Sequence, residues 1–394
     1  MIPEYFEYQN AVKLLCGLHA LERIPDELRH LGASRPLLLS DAVLAKIGVA
    51  TQVSEIMAAE GCAAAATFTD IPIDSSLEVV NRIAKLYREQ GCDAVMAVGG
   101  GSVIDTAKGV RLVLSQNTDD ILTLSGVENL QRGRHIPFIV VPTTAGTGSE
   151  CTGVAVIRND AQGVKMEFLS PFVEPDVAVL DVRMTLRLPA RATAATGMDV
   201  LVHAVEACTC LQRNPLSSAH GTSAIRLIAR HLVEAVQHGS NAEARLAMAL
   251  AATQAGIAFS NSMVGAVHAI GHALGGVCHV AHAEAMCILL PHVMRCNLSH
   301  AAAAYAELLP CMIGWEAAAA IPAAERAEAL IREIEQLRST LHRLTALPLR
   351  LSDAGVSEAD LPRVAEGAVN DGALIVNPRM LSREQVLDIL HQAM

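Results

Sequence analysis

Two pairs of residues with metal-binding side chains stand out in the second half of the chain. Asp199 and His203 form one pair, and His268 and His272 form the other, each with a spacing of four residues. Residues four apart in an α-helix project from the same face, so each pair can direct two side chains at one point. The spacing therefore predicts two helices that each direct a pair of side chains at a shared site.

A third segment supplies a further imidazole. Gly275–Gly276 are expected to end the second helix and to let the chain turn back to His282. One carboxylate and three imidazoles suit a divalent transition metal and leave a coordination position open. A lone histidine on an apolar helix is more often a hydrogen-bonded core residue. Burying an aspartate and several histidines together is costly unless they are paired or metallated, so the set predicts a metal centre.

A glycine turn marks a different chemistry in the first half. Gly99, Gly100 and Gly101 follow an apolar run and precede Ser102 and a helical segment. Glycines without Cβ atoms let backbone N–H groups approach a pyrophosphate, which the N-terminus of the next helix also favours. The turn lacks the Gly-x-Gly-x-x-Gly spacing, so an ordinary strand–helix connection stays open. Within that helix, Asp105 and Lys108 are expected to form a surface ion pair.

A loop rich in hydroxyls follows the next strand, and its expected coenzyme-binding residues are Thr143, Thr144, Thr147 and Thr152. Such a loop at the end of a strand can line a phosphate, a ribose or a nicotinamide. A β-hairpin is predicted over residues 154–157 and 164–169. Lys165 on this hairpin is expected to reach a phosphate or sugar, with an ordinary exposed strand lysine as the alternative.

Asp41 ends the first clear strand. A carboxylate there accepts hydrogen bonds from an adenosine ribose and repels a 2′-phosphate, which favours NAD over NADP. The alternative is an N-cap for the helix that begins near Ala42.

The order of expected elements predicts two domains. Strands are expected over residues 36–41, 63–68, 93–98, 136–141 and 176–180, with helices such as 76–90 and 103–114 between several of them. This alternation predicts a parallel sheet covered by helices, with ligands at the carboxyl ends of the strands. Beyond Pro189 the expected helices include 216–237, 242–259, 323–344 and 357–368. We expect an α/β domain over 1–187, an all-α domain over 188–394, and a working site in the cleft between them.

Composition narrows the classes of partner. The 394 residues are 52% hydrophobic and carry a formal charge of −11, so nucleic acid and anionic membranes are not expected partners. No apolar run reaches about 18 residues, and the acidic start lacks the features of a signal peptide. The sequence predicts a cytoplasmic protein.

Motifs along nearly the whole chain resemble the iron-containing, or group III, alcohol dehydrogenase family. The motifs are Gly99-Gly-Gly-Ser102-x-x-Asp105, Pro142-Thr-Thr-Ala-Gly-Thr-Gly-Ser-Glu150, Gly197-Met-Asp199-x-Leu-x-His203-x-x-Glu206, His268-x-x-x-His272, Leu289-Leu-Pro291-His-Val293 and Asn377-Pro-Arg379. The resemblance implies a Rossmann-like dinucleotide-binding domain followed by a helical metal-binding domain, an architecture shared with dehydroquinate synthase. It also implies a catalytic Fe²⁺, with Zn²⁺ or another divalent metal as the alternative. The implied ligands are Asp199, His203, His268 and His282, and His272 is implied to face substrate and nicotinamide.

The chain departs from the family pattern in two places. The usual Pro-His-Gly around the last ligand is replaced by Ala281-His282-Ala283-Glu284, with His279 nearby. Asp74-Ser75 stands where many members carry Asn-Pro, so no coenzyme contact is carried over there.

The resemblance implies an NAD-dependent oxidoreductase that interconverts a small primary alcohol or diol and its aldehyde. We expect a homodimer or a higher homo-oligomer. His272 is the expected proton-transfer residue, and Phe259, Val154 and Cys151 are expected to line an apolar substrate pocket. The alternatives are a polyol dehydrogenase, a maleylacetate reductase-like enzyme, a dehydroquinate synthase-like lyase or a non-catalytic NAD-binding subunit. The ligand segments show no cluster of Arg or Lys for an anionic substrate, which argues against several of these alternatives.

Overall fold

The structure is a computed structural model that describes residues 2–126 and 130–394. Contacts between residues divide the chain into one unit formed by Asn10–Arg187 and a second formed by Met1–Gln9 with Leu188–Met394. The predicted boundary at residue 187 places the first nine residues in the N-terminal domain. The structure groups them with the helical unit instead, where the backbone of Gln9 exchanges two hydrogen bonds of 2.7 and 2.9 Å with the side chain of Asn261.

The α/β unit contains both kinds of regular element. Its strands are β1 (Lys13–Gly17), β2 (Pro36–Leu39), β3 (Ala66–Phe68), β4 (Ala94–Gly99), β5 (Phe138–Pro142), β6 (Val154–Asn159), β7 (Val164–Leu169) and β8 (Val177–Asp181). Its helices are α1 (Ile24–His30), α2 (Ala42–Lys46), α3 (Val49–Ala59), α4 (Leu77–Glu89) and α5 (Gly101–Ser115).

The regular elements in the described residues of the second unit are all helices. Its helices are α6 (Ala190–Thr209), α7 (Pro215–Gln237), α8 (Ala242–Ser260), α9 (Ala266–Cys278), α10 (His282–Ile313), α11 (Trp315–Ala319), α12 (Arg326–Thr345), α13 (Leu361–Val369) and α14 (Arg383–Ala393). Among residues 2–126 and 130–394, the structure contains no helix that combines the length and the apolar character of a membrane span.

Most strands of the α/β unit join one parallel sheet with the order β1-β8-β5-β4-β2-β3. Every residue of β2, β4, β5 and β8 is buried, which explains why these strands are continuous apolar runs without alternation. Leu38, Met96 and Ile139 pack with α1 and α3 on one face, while α5 packs on β4 and β5. This arrangement confirms the predicted parallel sheet, and β6 with β7 confirms the predicted hairpin.

The register of the sheet brings two loops together. Gly99 at the end of β4 lies beside Pro142 at the end of β5, because these strands pair in parallel. The glycine turn and the hydroxyl-rich loop therefore leave the sheet at the same edge, as the strand order requires.

Two elements differ from the sequence predictions. Strand β1 was not predicted, because its five residues alternate only weakly between exposed and half-buried positions. Helix α10 was not predicted as a unit either, since Pro291 and Pro310 interrupt its pattern and proline usually breaks a helix. Packing against α6, α7, α9 and α12 supplies the stabilisation that the local sequence lacks.

Close packing of α6 on α7 yields a first prediction. A Cβ at Gly197 would overlap Leu232 Cδ1, and Leu232 is fully buried. Gly197→Ala is expected to lower the free energy of unfolding by about 1–3 kcal/mol through overpacking.

Urea unfolding of metal-free protein measures this loss. Gly276→Ala is the control, because the exposed Gly276 lies in helix α9 with open space around its missing Cβ. Equal unfolding midpoints for the two variants would contradict the proposed overlap.

Candidate functional site

Helix α6 carries the first pair of predicted ligands. Asp199 and His203 are both buried, at 2% and 5% exposure, and their Oδ1 and Nδ1 atoms lie 3.8 Å apart on one face of the helix. The ring of Phe259 from α8 stacks on the His203 ring at 4.5 Å between centroids. The structure thus confirms the shared face that the spacing of four predicts.

Two polar side chains from distant segments fix the N-terminus of α9. Glu206 on α6 accepts hydrogen bonds from the backbone N–H groups of Gly265 at 2.9 Å and Val267 at 2.7 Å. Asn377 accepts from Ala266 N at 3.2 Å. A Cβ at Gly265 would lie 3.0 Å from Asn377 Oδ1 and 3.1 Å from Glu206 Oε1, so a residue without a Cβ fits best between them. These bonds satisfy N–H groups that every helix N-terminus exposes.

The same Glu206 orients His268. His268 Nδ1 donates to Glu206 Oε2 at 2.6 Å, and His268 is 3% exposed. Burial raises the pKa of Glu206 to about 7, opposed by the backbone N–H donors of α9. A carboxylate on one ring nitrogen fixes the ring and makes the other nitrogen a better metal ligand. Glu206 belongs to the motif that begins at Gly197, but the motif by itself predicts no role for it.

The return to His282 differs from the prediction. Gly275–Gly276 do not end α9, which continues to Cys278 and stops at His279 in the left-handed conformation with φ 57°. Helix α10 then begins at His282 itself, whose Nε2 lies 3.6 Å from Asp199 Oδ1. A helix interior tolerates glycine when packing stabilises it, so Gly-Gly was a weaker stop signal than expected.

Three predicted ligands form one group in the described part of the chain. The ligand atoms of Asp199, His268 and His282 lie within 4.8 Å of one another. His203 is outside this group, although its ring lies 4.5 Å from that of His268. His279 and Glu284, the neighbours that depart from the family pattern, do not belong to it either. His279 is exposed, and Glu284 pairs with Arg191 at 2.6 Å.

The chemistry of the donors fits a cation. Among the described residues, buried atoms without a hydrogen-bond partner include Asp199 Oδ1, His203 Nδ1 and His268 Nε2. Such atoms are rare in folded proteins, because each loses its hydrogen bond to water. Three of them in one place, from residue types that bind transition metals, fit a divalent metal ion.

Burial sets the charge state of this donor set. It raises the pKa of Asp199 to about 7, lowers the pKa of His268 to about 3 and lowers the pKa of His203 well below its usual value. The two imidazoles are therefore neutral at pH 7, which is the form that binds metals. A cation would favour the charged form of Asp199.

His272 lies beside the group and has a partner of its own. Its Nδ1 donates to Asp371 Oδ2 at 2.9 Å, and its ring stacks on that of His282 at 5.6 Å. Burial alone would raise the pKa of Asp371, but the hydrogen bond and charge of His272 lower it below its ordinary value. The sequence does not predict Asp371 as a partner of His272, since 99 residues separate the two and no local pattern joins them.

The α/β unit brings most of the predicted coenzyme residues together. Thr143 N donates to Gly99 O at 3.0 Å. A Cβ at Gly101 would lie 2.9 Å from Thr147 Cγ2, and one at Gly100 would lie 3.3 Å from Thr144. The two loops therefore approach too closely for a Cβ at Gly101 and leave little room for one at Gly100, which explains why glycine occupies both positions.

The predicted ion pair is present, with Lys108 Nζ 3.9 Å from Asp105 Oδ1, but its predicted surface position is wrong, because Lys108 is fully buried. Its Nζ donates to Thr152 Oγ1 at 2.8 Å, Ser149 Oγ at 3.0 Å and Val154 O at 2.6 Å. Asp105 accepts from Ser149 Oγ and from Val156 N. These bonds anchor the hydroxyl-rich loop to α5, and they engage the hydroxyl of Thr152 within the protein.

Two further coenzyme candidates have protein partners. The Asp41 carboxylate accepts hydrogen bonds from Val43 N and Leu44 N, both at 2.9 Å. The structure thus confirms Asp41 as the N-cap of α2, the alternative to a ribose contact. Lys165 forms an ion pair of 2.7 Å with Asp74. Coenzyme contacts of either residue stay a prediction.

Comparisons with known proteins cover almost the whole chain. Residues 11–182 match the family described as iron-containing alcohol dehydrogenase, and residues 193–394 match the C-terminal part of the Fe-containing alcohol dehydrogenase family.

Individual relatives match at similar length. The chain is 36% identical to a 1,3-propanediol dehydrogenase of Klebsiella pneumoniae, covering 96% of each chain. It is 32% identical to an NAD-dependent methanol dehydrogenase of Bacillus methanolicus, covering 96% of this chain and 97% of the relative. A crystal structure of a 1,3-propanediol oxidoreductase matches with a TM-score of 0.94 and 34% identity, covering 99% of this chain and 100% of the other.

Removing the charge of Glu206 tests its contact with His268. Glu206→Gln is expected to weaken metal affinity about 10- to 100-fold, because an amide orients the imidazole less firmly and makes it a weaker ligand. Competition titration with a chromophoric chelator measures the affinity. The exposed Glu316→Gln is the control, and an unchanged affinity for Glu206→Gln would contradict the role.

Lys108 and Asp105 are expected to be coupled energetically. Lys108→Met leaves Asp105 without its cation and is expected to lower the free energy of unfolding by about 3 kcal/mol. The double variant Lys108→Met with Asp105→Asn is expected to lose less than the sum of the single losses. Urea unfolding measures all three, and additive losses would show that the pair is not coupled.

Proposed function

This chain belongs to the iron-containing alcohol dehydrogenase family and is an oxidoreductase, and on that premise we propose that it interconverts a small primary alcohol or a diol with its aldehyde, using NAD. The observation that carries the proposal is the group of Asp199, His268 and His282, in which Asp199 Oδ1 and His268 Nε2 are buried without a hydrogen-bond partner. Such donors would be destabilising without a cation to satisfy them.

Asp199, His203, His268 and His282 would hold the metal, with Fe²⁺ as the proposed ion. When bound, Fe²⁺ supplies Lewis-acid chemistry that lowers the pKa of an alcohol. The protein orients the donors: Glu206 fixes His268, and the packing of α6 holds Asp199 and His203 on one face.

His272 is proposed to move the proton that the alcohol loses. Asp371 accepts the Nδ1 proton of His272, so in the neutral ring Nε2 is the basic nitrogen. The side chain of His272 is 37% exposed, which allows a proton to pass on to water. An imidazole titrates near neutral pH and suits this transfer.

NAD is proposed to bind the α/β unit and to supply the hydride acceptor. Gly99 ends β4, and the half-buried Gly100 and Gly101 begin α5, whose N-terminus favours a phosphate. Ser102, Thr143, Thr144 and Thr147 supply hydroxyls around the same turn. Asp41, Thr152 and Lys165 complete the proposed set.

A small neutral substrate agrees with the side chains near the metal ligands. Phe259 presents an aromatic ring against His203, which gives that part of the helical unit an apolar surface. Arg191 on α6 is paired with Glu284, so its charge is already balanced. A substrate with a carboxylate would need an unbalanced cation.

The first experiment measures NADH absorbance with a panel of short alcohols and diols. Metal-stripped protein is restored separately with Fe²⁺ and Zn²⁺. We expect activity to return with Fe²⁺ and the panel to rank the substrates. If no alcohol yields NADH although metal and NAD are bound, the proposal is contradicted. That result would favour a polyol dehydrogenase, an enzyme for anionic substrates or a non-catalytic NAD-binding subunit.

His272→Ala separates proton transfer from metal binding. Turnover is expected to fall about 100-fold or more while the metal content stays unchanged, because general acid–base catalysis contributes at least that factor. Metal analysis and kcat are measured together, with the exposed His300→Ala as the control. Loss of metal in His272→Ala would identify His272 as a ligand instead.

The expected homodimer or higher homo-oligomer is part of the same proposal. Size-exclusion chromatography with light scattering measures the mass in solution, and a monomer at micromolar concentration would contradict it.

A further inference from the structure

Asp74 contacts two of the residues proposed to bind the coenzyme. Its backbone N–H donates to Ser102 Oγ at 3.2 Å, and its Oδ1 accepts from Lys165 Nζ at 2.7 Å. Ser102 lies in the first turn of α5, and Lys165 lies on β7, so Asp74 connects the glycine turn with the hairpin.

The backbone around Asp74 is held in place. Asp74 has φ 53°, a left-handed conformation that Asp and Asn adopt more readily than most other residues. The next residue is tied to the hairpin, because Arg158 N donates to Ser75 O at 2.9 Å. Ser76 also forms a bridge with Arg158. These contacts stabilise the unfavourable φ of Asp74 and hold the Asp74 carboxylate beside Lys165.

The charge of Asp74 opposes the proposed ligand. A dinucleotide brings two phosphate charges to the N-terminus of α5, and the negatively charged Asp74 contacts Ser102 in the first turn of that helix through its backbone N–H. The coenzyme would also compete with the Asp74 carboxylate for the ammonium group of Lys165. Lys165 and Asp74 are 54% and 48% exposed, so their pairing is weak enough to exchange.

We propose that the carboxylate of Asp74 pairs with Lys165 in the coenzyme-free protein. Asp74 thereby lowers the affinity of the protein for NAD and speeds the release of NAD. The inference rests on the proposed function, because it requires a dinucleotide at the glycine turn. Asp74 is thus a residue that sets coenzyme affinity, acting through Lys165 and through its own charge.

Asp74→Asn tests the proposal with little change of shape, since Asn also tolerates the left-handed conformation. NADH affinity is expected to rise about two- to fivefold, the effect of one exposed charge, mainly through slower release. Fluorescence titration measures the affinity and stopped-flow mixing measures release. Asp74→Gly, which removes the charge and keeps the backbone conformation, is expected to shift affinity in the same direction.

Salt separates a charge effect from a change of shape. The ratio of affinities between Asp74→Asn and the wild-type protein is expected to approach one as ionic strength rises from about 0.02 M to about 1 M, because salt screens exposed charges. Asp119→Asn is the matched control. It removes the same charge from an exposed pair with Arg88, of 2.8 Å, beyond the other end of α5, and is expected to leave affinity unchanged.

A double-mutant cycle tests the route through Lys165. Lys165→Gln alone is expected to weaken NADH binding. In the Lys165→Gln background, Asp74→Asn is expected to give a smaller gain than in the wild-type background, because the competition for the ammonium group is gone.

The outcomes are distinct. Equal affinity of Asp74→Asn and wild type at low salt overturns the proposal, and weaker binding by Asp74→Asn overturns it by making Asp74 a direct coenzyme ligand. Equal gains in both backgrounds overturn the route through Lys165. Failure of wild-type protein to bind NADH at all would overturn the proposed function, and this inference with it.

Discussion

The buried carboxylate of Glu206 is the interaction on which the helical unit's candidate site depends. It lies on the helix of Asp199 and His203, yet its oxygens accept from the N-terminus of α9 and from His268. One side chain therefore joins the two helices that carry the ligand pairs. A buried carboxylate is stable here because it receives three donors and faces the positive end of a helix. Without it, three N–H groups would lose their acceptor and His268 would lose its orientation.

Lys108 has a comparable structural role in the α/β unit. Its buried ammonium group donates to the hydroxyl-rich loop and to β6, and Asp105 one turn earlier accepts from the same two segments. The glycine turn at the start of α5 is thereby held at a fixed distance from the threonines. In both units a buried charge is retained because neighbouring polar groups satisfy it, and in both it fixes the segment that carries the proposed chemistry.

Much of the fold followed from the local sequence. The buried strands are recognisable because parallel strands covered on both faces become continuous apolar runs, and most of the long helices show apolar periodicity. Elements that depend on packing were harder to predict. Helix α10 contains two prolines, and α9 continues through Gly275–Gly276, so their bounds reflect neighbours rather than local preference.

The sequence by itself determined the parallel sheet, the hairpin, the family and the shared face of Asp199 and His203, because periodicity and short spacing are local properties of a chain. Only the tertiary structure decided that Glu206 orients His268, that Asp371 binds His272, that Lys108 is buried and that Asp74 contacts both Ser102 and Lys165. Each of these contacts joins residues from separate elements. Their existence depends on how helices and strands pack, and no spacing within one segment encodes that packing.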